Sequence, residues 1–205
     1  MVIAYGCCVG SWDKVRRYVE PRIGGQLLTV HGATSIAEAY NEIIDTARGV
    51  HDLEALVLLH DDLEIIDHDF ETKLCDALTQ RDVALVGVAG ARGAGTLAWW
   101  NADVIGHQLT DSGMIDFGPR TGDVEVLEGS LLALSPWAVE NLRFDTRYGG
   151  FHGYDDIGYE AVARGKRVVV ADIDTHHHTH TGWRSSAYYA AWQAADIKFR
   201  EKWKK

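Results

Sequence analysis

The sequence predicts an α/β fold in which a mostly parallel sheet lies between layers of helices. Three observations carry this expectation. Short apolar runs with no polar face recur at residues 2–9, 55–59 and 83–88, as in strands buried on both faces. Stretches with helical periodicity separate them. The order strand, helix, strand, helix, strand implies right-handed crossovers in one sheet.

Taken in order, residues 2–9 close at Gly10 and read as a buried strand; 26–30 are a second. Ser35 and Glu38 form a capping box, in which each side chain satisfies an orphan backbone donor at a helix start. Ile36, Ala39, Tyr40, Ile43, Ile44 and Ala47 then fall on one apolar stripe, and Gly49 fits the stop. The third strand, 55–59, runs into His60-Asp61-Asp62. Phe70, Leu74, Ala77 and Leu78 mark the next helix, with Asp67 as its expected cap. Residues 83–88 are the fourth strand. Periodicity loosens over 90–123, which holds Trp99 and Trp100 and predicts a long functional loop or a small subsheet. Order returns at 124–134, and Ser135-Pro136 places a cap and a first-position proline at a short helix. A helix near 156–164 stops at Gly165, and a last strand spans 167–171. A C-terminal helix from about Ser186 sets Trp192, Ala195, Phe199 and Trp203 on one face.

The 205 residues amount to roughly one domain. An apolar share of 46% and a charged share of 24% exclude a disordered or collagen-like chain. The net charge of −10 repels nucleic acid and anionic lipid. A nucleoside diphosphate would therefore need a local device such as a metal ion. Cys7, Cys8 and Cys75 are odd in number, two of them adjacent, and read as free thiols of a reducing compartment. No basic segment precedes the first strand and no apolar run approaches about 18 residues, so a cytoplasmic protein without a membrane span is expected.

Three polar clusters stand out, two of them directly after strands, where open α/β sheets bind ligands. His60-Asp61-Asp62 can hold a divalent ion and, through it, a diphosphate; the structural alternative is an Asp-rich turn. His176-His177-His178-Thr179-His180 offers imidazoles, which favour first-row metals; the alternative is a polar loop of solvated histidines. Tyr154-Asp155-Asp156 opens a helix and offers a general base for an acceptor hydroxyl, or simply a favourable cap. Zinc-finger cysteine spacing, His-Glu-x-x-His, a Gly-x-Ser-x-Gly elbow, the dinucleotide fingerprint and the P-loop are all missing from the sequence.

Read together, residues 2–6 and 10–13, 35–41, 58–62, 128–130, 151–156, 165–170, 176–182 and 199–203 resemble glycosyltransferase family 2 enzymes of the GT-A fold. The likeness is to the small bacterial streptomycin-biosynthesis-type branch and covers nearly the whole chain. It implies a Rossmann-like α/β/α sandwich in one unit over 1–205. Residues 1–89 would be the nucleotide-binding half, 90–185 the acceptor and catalytic half, and 186–205 a closing helix. It implies a nucleotide-diphosphate sugar donor, with a UDP-sugar foremost, and Mn2+ or Mg2+. Transfer would go, with inversion, to a hydroxyl of a glycan, small molecule or protein. Asp62 stands at the metal-binding end of the family's Asp-x-Asp motif, with Asp61 near the ribose or sugar and His60 in place of the first Asp. His178 or its neighbour His176 would be the second metal ligand. Asp155 or Asp156 matches the base, and Tyr5, Ser11 and Asn41 fall in the nucleotide pocket. The substitution at His60 and the short length leave a non-catalytic nucleotide- or sugar-binding module as the alternative, and the His and Asp clusters leave a metal-dependent hydrolase. The Trp-rich surface and C-terminal helix would permit a homodimer.

Overall fold

A computed structural model describes residues 2–149, 153–178 and 186–204. Strand β1 (Ile3–Val9) is followed by α1 (Trp12–Lys14), a π-helical turn (Val15–Val19) and a 3-10 turn (Glu20–Arg22). Then come β2 (Gln26–His31), α2 (Ile36–Ala47), β3 (Ala55–His60), β4 (Leu63–Ile65), α3 (Phe70–Leu78) and β5 (Val83–Gly87). Ser35 Oγ accepts the Glu38 amide at 3.2 Å, as the capping box predicts, while the Glu38 carboxylate meets the Thr34 hydroxyl. The cap of α3 is Asp69, not Asp67. Asp67 is committed elsewhere: it accepts from the Asp69 amide, the Lys73 ammonium and the Asp174 amide.

The 90–123 stretch is a subsheet. It contains β6 (Ala89–Arg92), β7 (Asp103–Thr110), β8 (Gly113–Asp116) and β9 (Gly122–Val124), the last of which leaves for the main sheet. The chain continues through β10 (Val126–Leu127), β11 (Leu131–Leu134), α4 (Pro136–Asn141), α5 (Gly153–Ala163), β12 (Arg167–Val170), β13 (Thr175–His177) and α6 (Ser186–Trp203).

The seven-stranded sheet has the order β2-β1-β3-β11-β5-β12-β9. β1 runs parallel to β2 and β3, and β5 to β12. β11 lies antiparallel between β3 and β5, because it returns from the subsheet and not through a crossover helix. The second sheet has the order β10-β6-β7-β13-β4, with β8 on β7.

Strand alternation divides the core. Leu56 and Leu58 pack in one layer with Tyr40, Ile43, Val139 and Ile157 of α2, α4 and α5. Val57 and Leu59 pack in the other with Val15, Phe70 and Leu74, beside the π-helical turn and α3. The result is an α/β/α sandwich, and each such buried side chain contributes about 1.5–3 kcal/mol by leaving water. A third cluster, with Trp99, Tyr148, Tyr159 and Phe199, joins the second sheet to α6. Among the described residues, no helix is long and apolar enough to cross a membrane. The three cysteines are free thiols.

Candidate functional site

The site begins where β3 ends. His60 is the last residue of β3, and the turn at Asp61 and Asp62 leads straight into β4. β4 pairs antiparallel with β13, setting Leu63 opposite His177 and Glu64 opposite His176. The His178 amide donates to the Asp62 carbonyl at 2.9 Å. Sheet pairing thus joins two clusters that are over 100 residues apart in sequence.

The side chains converge accordingly. Asp62 Oδ1 lies 3.2 Å from His177 Nε2, and Asp62 Oδ2 accepts from Lys14 Nζ at 2.9 Å. His60 Nδ1 is 3.4 Å from His177 Nε2, and His60 Nε2 is 2.8 Å from the Tyr154 hydroxyl. Glu128 Oε1 is 3.9 Å from His177 Nδ1, while Glu128 Oε2 accepts the Ser130 amide at 2.8 Å. One ligand atom each from His60, Asp62 and His177 lies within 4.8 Å of the others. One carboxylate with two imidazoles suits a first-row divalent ion.

The charges settle unequally. Burial and the facing His177 push the His60 pKa down, so His60 is the neutral partner. Burial opposes a charge on His177 too, but the hydrogen bond to Asp62 and the charges of Glu128 and Asp62 outweigh it and raise its pKa. Burial likewise opposes ionisation of Asp62, yet hydrogen bonds from His177 and Lys14 hold it well below the usual carboxylate range. The Asp62 bond raises the Lys14 pKa. Both oxygens of Asp62 thus already face positive charge, and a metal ion at this spot would take the place of the proton shared between Asp62 and His177.

The structure sorts the expected residues. Asp61 lies beside this group: its Oδ2 accepts the Gly10 and Ser11 amides at 2.9 and 2.7 Å, which fixes the loop after β1 against the β3 end. Tyr5 lies inside the core. It is 1% exposed, lies in the α3 layer of the core, and reaches Glu71 with its hydroxyl. Asn41 is also spoken for, since its amide both donates to and accepts from the Phe144 backbone at 2.9 Å. His176 and His178 do not join Asp62. Successive residues of a strand point to opposite faces, so His177 faces Asp62 while His176 and His178 gather with Glu64. Thr179 and His180 lie outside the described residues.

Asp155 and Asp156 are both buried on α5. Asp156 binds the C-terminal helix: it accepts from Tyr148 Oη at 3.1 Å, Trp203 Nε1 at 2.8 Å and Lys202 Nζ at 2.8 Å. It is their neighbour Tyr154 that touches the site, through His60. Lys14 was not singled out from sequence, while His177 and Tyr154 were named within their clusters, and Glu128 within the segment 128–130, without the roles seen here. The groove of about 400 Å3 that includes Lys73, Asp123, Arg167 and Asp172 shares no residue with the His60 group.

The α/β/α sandwich with its subsheet is the GT-A fold of glycosyltransferases. Residues 4–202 match a glycosyltransferase-like family, and the chain belongs to it. Over 189 residues the chain is 33% identical to the streptomycin biosynthesis protein StrF of Streptomyces griseus, covering 86% of this chain. It spans 66% of StrF's length, a little under two thirds. The structure of GalNAc-T7 with UDP, GalNAc and Mn2+ is similar at a TM-score of 0.66 and 11% identity, over 98% of this chain and 48% of that one. The structure of A197 from STIV is similar at a TM-score of 0.57 and 13% identity, over 88% and 87% of the two chains. At such identities these likenesses speak for the fold alone.

Proposed function

We propose that the protein transfers a sugar from a nucleoside-diphosphate donor to an acceptor hydroxyl, with inversion and with a divalent cation held by Asp62 and His177. The observation that carries this reading is the convergence of His60, Asp62 and His177 at the carboxyl end of β3. The Mn2+ and UDP in the GalNAc-T7 structure, which shares the fold, support Mn2+ and a UDP-sugar as the first candidates.

When bound, the cation neutralises the charge that develops on the departing diphosphate. Asp62 and His177 hold it, and the neutral His60 adds a further nitrogen. Lys14, 2.9 Å from Asp62, brings a second positive charge to the same spot. Asp61 fixes the loop at Gly10 and Ser11 beside the donor. Of the two carboxylates that open α5, we take Asp155 as the base and Asp156 as the anchor of the C-terminal helix, which it holds through Lys202 and Trp203. Asp155 takes the proton of the acceptor hydroxyl as its oxygen attacks the anomeric carbon opposite the leaving group.

The test is a thermal-shift panel of UDP, GDP, CDP and dTDP with and without Mn2+. A nucleotide at about 100 times its Kd stabilises by about 2.7 kcal/mol. At about 2–4 °C per kcal/mol for a chain of this size, the shift is roughly 5–10 °C. It is expected with one nucleotide, only with metal, and not in Asp62→Asn or His177→Gln. Metal-independent shifts, or wild-type behaviour of both variants, overturn the metal assignment. A product of retained configuration overturns the single-base mechanism.

A further inference from the structure

We propose a second metal site, for a zinc-like divalent transition-metal ion, built from Glu64, His176 and His178 on the face of β4 and β13 opposite His177. It shares no residue with the donor site and goes beyond the transferase reading.

The argument starts from alternation. His176 and His178 are two residues apart at the end of β13, so their rings come to one face; the centroids are 3.7 Å apart. The cross-strand partner of His176 is Glu64. One ligand atom from each of the three lies within 4.8 Å of the others. His178 Nε2 is 3.0 Å from Glu64 Oε2. Asp111 Oδ1 adds an oxygen 3.2 Å from His176 Nε2 and 3.3 Å from His178 Nδ1. A tetrahedral ion with bonds of about 2.0–2.1 Å sets neighbouring donors roughly 3.3 Å apart; the His178–Glu64 pair is already near that spacing, His176 within 4.8 Å has to draw in, and Asp111, which meets the other ring nitrogen of His178, serves as an outer partner. Two imidazoles and a carboxylate are the donor set of zinc-type ions, not of Mg2+ or Ca2+.

The surroundings hold the donors in place, as outer partners of metal ligands do. Arg22 takes Glu64 Oε1 with both Nε and Nη2, at 2.9 and 2.6 Å, which leaves Oε2 on the histidine side. Tyr18 stacks on the His178 ring at 3.9 Å and 16°. Tyr18 comes from the π-helical turn, a geometry frequent at functional sites. The ion would clip β4 to β13 and the turn after β1, and so fix the two strands that carry Asp62 and His177.

The test uses the purified full chain stripped with chelator. Co2+ is followed by its visible absorption, and Zn2+ by calorimetry. The expected result is a Co2+ spectrum of mixed nitrogen and oxygen ligation that persists in the double variant D62N/H177Q, where the donor site is removed, and disappears when H176Q/H178Q is added to that background. Zn2+ affinity at this site should fall at least about 100-fold in H176Q/H178Q, the upper end of what loss of an outer partner alone costs. Equal Zn2+ stoichiometry and affinity in wild type and H176Q/H178Q overturns the proposal. So does a spectrum lost only in D62N/H177Q, which would leave the donor site as the sole metal centre. Should H176Q/H178Q fail to fold, Glu64→Gln decides: weakened Zn2+ binding supports the site, and unchanged binding overturns it. Failure of the nucleotide panel leaves this result untouched.

Discussion

Asp156→Asn separates an anchoring carboxylate from a reacting one. Asp156 is 0% exposed, and its two oxygens receive Tyr148, Trp203 and Lys202. Lys202 is raised in pKa: burial alone would lower it, but the hydrogen bonds to Asp156 and Glu160 prevail. The asparagine keeps the shape but sets an uncharged amide against an ammonium. Breaking a fully buried pair by removing one partner costs about 3–5 kcal/mol. Here Lys202 is 21% exposed and also reaches Glu160 at 2.9 Å, so the cost falls to the bottom of that range or just under it, about 2–3 kcal/mol. For a chain of this length the melting temperature should fall by about 4–12 °C. The assay is thermal unfolding followed by circular dichroism, repeated for Lys202→Met and for the double variant. A coupling energy of at least about 1 kcal/mol is expected between the two sites. Asp155→Asn, in contrast, should lower transfer by on the order of 10²–10⁴ while nucleotide binding survives. An Asp156→Asn protein that melts like wild type, with additive energies in the cycle, refutes the anchoring argument.

Two further outcomes follow from single positions. Gly129 has φ +94°, and a Cβ there would lie 2.2 Å from the Tyr154 ring. Gly129→Ala should cost roughly 2–5 kcal/mol from backbone strain and overpacking together, read as a lower urea midpoint at constant slope; a loss under about 1 kcal/mol contradicts the packing. Arg147, followed by Lys202, holds the Asp145 carboxyl at about 2, against an ordinary 3.8. Because the folded pKa is the lower one, its stabilisation, on the order of 2 kcal/mol, is full above about pH 4 and is lost as pH falls toward 2. Asp145→Asn should therefore flatten that part of the acid-unfolding profile, and an unchanged profile removes the contribution.

What the sequence discloses depends on how far a signal extends. The run at 55–59 is apolar on both faces, and the structure buries it between two helical layers, so composition alone announced β3. The Ser35 cap and the stripe from Ile36 to Ala47 are local and repeated, so α2 was legible to within a residue. The turns over Trp12–Arg22 bury only Val15 and Val19 and show no such stripe. Tyr5 and Asn41 were plausible ligands by residue type. Their fate was set by partners far away in sequence: Tyr5 faces α3, and Asn41 clamps Phe144. Residue type speaks for chemistry, and only the fold says whether that chemistry is available.

The histidine segment shows the same limit at its sharpest. β13 (Thr175–His177), with His178 just beyond it, is too short to display a period, and β4, which fixes its register, is equally short. Nothing within 175–178 tells which imidazole meets Asp62. The answer lies in the pairing of Leu63 with His177 and Glu64 with His176. A slip of one residue would exchange the faces, sending His176 and His178 to Asp62 and His177 to Glu64. The register is held from outside the pair: the Asp62 carbonyl accepts the His178 amide, and Asp67 accepts the Asp174 amide while gripping Lys73 of α3. Asp67, expected only as a helix cap, thus helps decide which histidine faces Asp62.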